Sequence, residues 1–192
     1  MNVPKSGIKE ISKDKTLTNM EERELVLLCQ NGDRRAMERL YNKYASKMRA
    51  LCLRYSKTSF EVEDIIQEGF IKIFTQIKGF NFQGSFEGWI KRIVINTAIN
   101  SYWKDKNLNM HVHLDAVDEK GLEPLEIAEQ LSIEELYKII NQLPEGYKFV
   151  FNMYAIDGYS HKEIAEMLKI TESSSRSQYT RARQSLIKLL KE

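Results

Sequence analysis

Apolar residues recur at three- and four-residue intervals through most of this 192-residue chain, and only three prolines interrupt it. That spacing lays an apolar stripe along one side of a helix, because 3.6 residues complete a turn. The two-residue alternation of a half-buried strand appears nowhere. The chain is therefore expected to be all-α. Hydrophobic residues make up 42% and charged residues 29%, a globular balance rather than a disordered or membrane one. The length suffices for two small domains.

Punctuation divides the stripe into segments. Thr18 and Glu21 form a capping box, and Asn31-Gly32 stops the helix that follows. Asp33 caps a second helix carrying Met37, Leu40, Tyr41, Tyr44, Met48, Leu51 and Tyr55 at helical spacing. After a turn at Lys57 to Ser59, a third helix is expected from about Glu61 to Lys78. Val62, Ile65, Ile66, Gly69, Phe70, Ile73, Phe74 and Ile77 form its inner stripe. Gly79 ends it. A loop, Phe80 to Gly84, leads to Ser85, the expected cap of a fourth helix reaching Lys106. This helix has apolar residues on several sides, Ile95 and Ile99 among them, so it should be central in a bundle or touch a partner.

Charge is distributed unevenly. From Met110 to Glu135 eight acidic residues face one lysine, Lys120; from Lys169 to Lys191 six basic residues face one acid, Glu172. Such asymmetry points to different partners for different parts of the chain. Residues 109–131, with Gly121, Pro124 and little periodicity, read as an acidic linker. Residues 1–17 read as a disordered tail with no signal peptide. No apolar run approaches the ~20 residues that span a bilayer, so the protein is expected in the cytoplasm. Cys29 and Cys52, outside any CxxC pair, are expected as buried small hydrophobes.

Beyond the linker, Ser132 with Glu135 and Ser160 with Glu163 form two more capping boxes, and Pro144 suits a first helical turn. Gly158 breaks the helix holding Tyr147, Val150, Phe151 and Tyr154. The segment from Ser160 to Leu190 then has helix-turn-helix grammar. A short helix, His161 to Leu168, turns Ile164, Ala165 and Leu168 inward, and Lys169-Ile170-Thr171 is the turn. A second helix from near Glu172 should carry Ser173, Ser174, Arg176, Ser177, Gln178, Thr180, Arg181 and Arg183 outward. Arginine forks, an amide and hydroxyls are the groups that read base edges or hold phosphate. A solvated cationic face is the plainer reading, but it leaves the capped helix and tight turn without a purpose.

Three stretches together resemble the extracytoplasmic-function sigma factors of bacterial RNA polymerase: Glu63 to Lys72, Ser85 to Ile93, and Gly158 to Leu168 continuing through Arg176 to Arg183. The resemblance covers about Asp33 to Leu190, and the wording of the last stretch is most similar to Bacteroidetes members. It implies two helical domains: residues 18–108 as sigma region 2 and residues 132–192 as sigma region 4, joined by the acidic linker. It implies a factor that binds core RNA polymerase (β′ clamp and β subunit) and directs it to promoter DNA, with no catalysis, cofactor or metal of its own. An anti-sigma factor is the further implied partner, and no small-molecule substrate or membrane insertion is implied.

Roles follow by resemblance. Asp64, Gln67 and Glu68 would dock on the clamp coiled coil. Asn81, Phe82, Gln83 and Ser85 would capture a flipped base of the −10 element, while Lys91, Arg92, Asn96, Asn100 and Lys104 hold backbone phosphate and Trp103 lies near unstacked bases. Phe86 and Trp89 fit the core better than the DNA. Ser173, Arg176, Ser177, Thr180 and Arg181 would read the −35 duplex, and Lys162 and Arg183 would touch phosphate. Ser173-Ser174, where the family commonly has Gly-Thr, and Ser175 depart from its pattern.

Two rival classes fit less well. A free-standing helix-turn-helix regulator leaves the aromatic-bearing segment Phe80 to Lys106 unused. An enzyme would need more than the isolated pair Asp64 and Glu68 or the HxH of His111 and His113, and no phosphate loop or nucleophile elbow is present.

Overall fold

The computed structural model describes residues 21–56, 58–106 and 132–191. The tail, the Thr18 cap, the linker and His111 with His113 lie outside the described residues. Among the described residues there is no strand; all regular structure is helical.

The first domain is a four-helix bundle: α1 over residues 21–30, α2 Arg34–Cys52, α3 Ser59–Gln76 and α4 Phe86–Lys106. Its helix starts follow from side-chain oxygens that accept otherwise unpaired amides. Asp33 Oδ1 accepts from Ala36 N at 2.9 Å, Thr58 Oγ1 from Glu61 N at 3.2 Å, and Ser85 Oγ from Gly88 N at 3.2 Å. The third helix thus begins at Ser59, two residues before the sequence expectation, and its last turn tightens into a 3₁₀ turn, Ile77–Gly79. Buried Leu40, Tyr44, Met48, Ile66, Ile73, Ile77, Ile90, Val94, Ile95 and Ile99 make the core. Apolar residues lie on several sides of α4 because it packs on α2 and α3 and, through Tyr102, on Phe149. Gly69 permits its approach to α3: a Cβ there would lie 3.3 Å from Val94 Cγ2.

The second domain contains α5 Ile133–Ile140, α6 Glu145–Phe151, α7 His161–Leu168 and α8 Glu172–Lys191. Both capping boxes, Ser132 with Glu135 and Ser160 with Glu163, are formed. Pro144 stands at the N-cap of α6, one position before the first turn. A π turn, Asn152–Ile156, extends α6 and carries the chain to Gly158, whose φ is +77°. The periodicity of the sequence had continued α6 as a regular helix. Gly146 lets α6 lie close on α8, since a Cβ there would sit 3.0 Å from Gln178 Oε1.

The two domains touch. Phe149, Val150, Met153, Ile164 and Leu168 belong to the same apolar cluster as the first domain's core, while Ile140, Leu143, Phe151, Ala182 and Leu186 form a separate one. The Phe149 ring stacks on Tyr55 at 5.5 Å and tilts against Tyr102 at 5.2 Å. Polar groups converge there too. Arg54 pairs with Asp157, Tyr55 Oη donates to Asp157 Oδ2 at 2.5 Å, and Asn152 Nδ2 donates to the Arg54 carbonyl at 2.9 Å. Burial first, and Asp157 second, push the Tyr55 phenol well above its ordinary pKa. A cavity of about 650 Å³ lined by Ser56, Tyr102 and residues 141–145 remains at this junction.

Cys29 and Cys52 are buried free thiols, as expected, and burial pushes their pKa values up to about 11 and about 12. No helix among the described residues is long and apolar enough to cross a membrane.

Candidate nucleic-acid interface

The outer face of α3 presents Asp64 and Gln67 to solvent. Glu68, one turn on, is half-buried and paired with Lys72 at 2.7 Å, an ion pair that holds its carboxyl below the usual range. The face is therefore a mixed ridge with one committed carboxylate.

At the far end of α3 the loop is tightly folded. Asn81 Oδ1 accepts from Gln83 N at 3.1 Å, an Asx turn that commits this oxygen to the loop itself. Phe82 has φ +61° and Gly84 φ +86°, so two of three successive residues are left-handed. Phe82 is half-buried with its ring 5.2 Å from Phe80, which packs on Phe86 at 5.1 Å and Trp89 at 5.4 Å. Phe86 is core, as expected, while Trp89 is half-buried. Gln83 and Ser85 are exposed, but the Ser85 hydroxyl is engaged in capping α4.

Along α4, Asn100 and Lys104 are exposed and Asn96 is half-buried. Lys91 pairs with Glu87 at 3.1 Å, and Trp103 rests edge-on against Tyr102 at 4.7 Å. Exposed Arg92 faces the second domain. The Ser160 amide and hydroxyl hold the Glu163 carboxyl low and Arg92 adds to the effect; burial and then Asp157 raise the Tyr159 phenol against Arg92's pull.

In the second domain α7 and α8 form a helix-turn-helix whose turn passes through Lys169 at φ +56°. Ile164, Ala165 and Leu168 are buried, as expected. Buried His161 bonds Ser175 Oγ through Nδ1 at 3.0 Å and stacks on Tyr154 at 4.1 Å, joining the two helices. Ser173, Arg176 and Lys162 are exposed; Ser177, Arg181 and Arg183 are half-exposed. Arg176 pairs with Glu172 at 2.5 Å, the Arg183 guanidinium lies 6.0 Å from the Tyr179 ring centre, and Arg181 Nη1 donates to Tyr147 Oη at 3.5 Å.

Three residues expected outward are buried: Ser174, Gln178 and Thr180. Ser174 and Gln178 lie on the arc of α8 that faces α6, where Gln178 Nε2 donates to Ser174 Oγ at 3.3 Å. Thr180 is buried although it lies on the outward arc of α8.

Two residues that the sequence reading passed over belong here. Gln30 Nε2 donates to the carbonyls of Ile77 at 2.9 Å and Phe80 at 2.8 Å, and the Arg23 guanidinium lies 4.3 Å over the Phe82 ring. The one signal for them was the capped N-terminal helix.

The family comparisons fall on the same two units. The model of Sigma-70 region 2 matches residues 40–107 and that of Sigma-70, region 4 matches residues 133–186. Both models occur in order and together span well over half of the chain. The chain belongs to the sigma-70 family, in its extracytoplasmic-function group. The RNA polymerase sigma-H factor of Pseudomonas aeruginosa is 29% identical over 91% of this chain and 96% of its own length. The ECF RNA polymerase sigma-E factor of Haemophilus influenzae is 29% identical over 83% and 90%. Among solved structures, CnrH in complex with the cytosolic domain of CnrY aligns with a TM-score of 0.53 and 21% identity, over 88% of this chain and 96% of that one. The sigma factor RpoE in complex with the anti-sigma factor NepR from Bartonella quintana gives 0.53 and 18%, over 80% and 96%. These structural likenesses concern the fold. The chain is an alternative sigma factor, a transcription-initiation factor and not an enzyme. Its helix-turn-helix lies in the region 4 match and its strained loop in the region 2 match.

Proposed function

We propose that this sigma factor divides its work at the acidic linker: residues 18–108 dock on the polymerase clamp and capture melted −10 DNA, and residues 132–192 grip the −35 duplex. The observation that carries the reading is the pairing of two different DNA-facing geometries in one chain. A tight aromatic loop suits an extruded base, whereas a regular arginine-bearing helix suits the major groove. Asp64, Gln67 and Glu68 are the clamp contact, supported by the exposure of the first two on α3. Asn81, Phe82, Gln83 and Ser85 line the base-capturing loop; Lys91, Arg92, Asn96, Asn100, Trp103 and Lys104 carry the strand along α4. Ser173, Arg176, Ser177 and Arg181 read or border the −35 bases, with Lys162 and Arg183 on phosphate. Thr180, being buried, contributes only if it becomes exposed on DNA.

Core polymerase and promoter DNA are thus the working partners, and the factor acts in the cytoplasm with the polymerase. An anti-sigma factor is the proposed restraint, supported by the structural relative RpoE, solved with the anti-sigma factor NepR. The acidic linker would follow a path built for RNA, to which its charge is suited. The wording of the segment from Gly158 to Arg183 supports a place among Bacteroidetes-type members.

The test is a pull-down of core RNA polymerase, comparing wild type with a Gln67→Ala, Glu68→Ala double variant. Stoichiometric binding lost in the variant supports the clamp contact on α3. Wild type that ignores core but shifts a duplex tightly alone would overturn the reading. For the second domain, Arg176→Ala relaxes −35 selectivity, a bidentate arginine–guanine pair being worth ~1–3 kcal/mol, whereas Lys104→Ala weakens all sequences alike. Equal losses by Arg176→Ala on matched and mismatched −35 sites would remove that residue from base reading.

A further inference from the structure

The N-terminal helix α1 does more than extend the bundle. It is fastened to it by buried Val26 and Cys29, and by Glu22, which accepts from Tyr44 Oη and pairs with Lys43 at 3.1 Å. From that fixed position two of its side chains reach the loop that follows α3. Gln30 spends both protons of one amide nitrogen on two carbonyls at this turn, Ile77 O at 2.9 Å, which also accepts from Phe80 N at 3.1 Å, and Phe80 O at 2.8 Å. A side chain that ties the last turn of the helix to the first residue beyond it sets where the chain leaves. Arg23, seven residues earlier and thus on the same side of α1, lies over the Phe82 ring at 4.3 Å.

Phe82 needs such support. A non-glycine residue at φ +61° persists only where its surroundings hold it. The guanidinium covers one face of the ring, and the Phe80 ring meets it at a steep angle, so that covered face is closed to a further planar group. A base that stacks on that face of Phe82 must take the place Arg23 now holds. Two stacked planes occupy ~7 Å, so Arg23 needs to retreat by only ~3 Å to lie on the base's outer face, and guanidinium planes stack on bases as readily as on rings. Arg23 is exposed, and its side chain is free to make that move.

We propose that Gln30 and Arg23 are working parts of the −10 site: Gln30 positions the loop, and Arg23 is the movable second wall of the slot in which an unpaired base stacks on Phe82. This rests on the reading of residues 81–85 as the base-capturing loop. It gives α1 a role in handling single-stranded DNA and none in the duplex.

The experiment uses holoenzyme assembled from core polymerase and the full chain, on a promoter fragment with 2-aminopurine at each non-template −10 position in turn. Fluorescence reports the extruded base, and strand competition gives affinity. Arg23→Ala and Gln30→Ala should each lower the fluorescence change and weaken −10 strand binding about 5- to 30-fold, the scale of one lost stacking contact. Core binding and −35 duplex binding should stay at wild type. Arg23→Lys, which keeps the charge and loses the plane, should preserve the salt dependence yet still lose the signal. Phe82→Ala separates the two readings. If it abolishes the signal while Arg23→Ala and Gln30→Ala match wild type, the role of α1 is overturned and the loop reading stands. If Phe82→Ala also matches wild type, the loop reading fails and this inference falls with it.

Discussion

On the proposed reading, the two domains meet DNA with opposite materials. The first uses an irregular loop in which Phe82 and Gly84 are left-handed and aromatic rings cluster, propped from behind by another helix. The second uses a regular rod, α8, whose arginines are held by an acid, a hydroxyl and a ring. An extruded base has two faces and an edge to satisfy, so its receptor must be concave and shaped beforehand. A duplex groove presents its edges to any straight helix of the right width. The difference teaches that strain is concentrated where the nucleic acid itself is distorted.

Four substitutions would break or sharpen this contrast. The largest effect is expected between the domains. Arg54→Ala leaves the buried Asp157 carboxylate without its cation, a loss of about 3–5 kcal/mol if the domains stay docked. Separation returns Asp157 to water, so the chain opens instead of unfolding. Small-angle scattering should show a larger radius of gyration with helical content unchanged by circular dichroism. An unchanged radius would mean that apolar packing at Phe149 alone holds the closed form.

Leu186→Ala acts inside one domain. Leu186 is buried in the cluster to which the first domain contributes nothing, and truncation there should cost about 2–5 kcal/mol. Hydrogen exchange should accelerate in α5, α6 and α8 while α2 to α4 keep their protection. Equal acceleration in both domains would show that they unfold as one unit.

Gly84→Ala tests the loop. At φ +86° with open space around it, the added methyl meets no neighbour, so the penalty is conformational, about 1–2 kcal/mol. Binding of melted −10 strand should weaken several-fold with −35 duplex binding untouched. A loss on duplex as well would deny the division of labour.

The smallest effect is expected at the helix-turn-helix entry, where Ser160→Ala removes a cap worth about 1 kcal/mol, read as a few degrees in melting temperature. This cap depends on pH. The Ser160 amide and hydroxyl hold Glu163 below its ordinary value of 4.5, so its contribution is complete above that value and fades as pH falls through the depressed pKa. The difference between wild type and variant should therefore shrink as pH falls below 4.5.

Much of this was legible in the residues. Asp33, Ser85, Ser132 and Ser160 announce helix starts because a short oxygen-bearing side chain beside an amphipathic run has few other uses. Ile164, Ala165 and Leu168 declare the helix-turn-helix by spacing alone. What escaped was set by long-range packing. The reach of Gln30 to carbonyls some fifty residues away leaves no local trace, nor does the burial of Thr180. The π turn at Asn152–Ile156 shifts one helix by part of a turn without disturbing its apolar periodicity. The apolar residues on several sides of α4 pointed to a second contact, but nothing local to either segment pairs Tyr102 with Phe149.

That contact sets a length scale. The −10 and −35 elements lie about 25 base pairs apart, or ~85 Å at ~3.4 Å per pair, whereas a compact fold of this size has a radius of gyration near ~16 Å. A molecule whose halves share one core cannot straddle such a span, and Arg92 is turned towards Glu163 in the meantime. Promoter affinity is then the intrinsic affinity scaled by the fraction of molecules that stand open. Part of the cost of leaving the junction is offset there, because Arg54 Nε, Ser56 Oγ and Asn152 Oδ1 are buried without hydrogen-bond partners among the described residues and regain hydration on opening. Whatever shifts that fraction, a polymerase surface that separates the halves or a protein that clasps them, sets transcription by gating the factor's geometry and leaves its contacts with the bases unchanged.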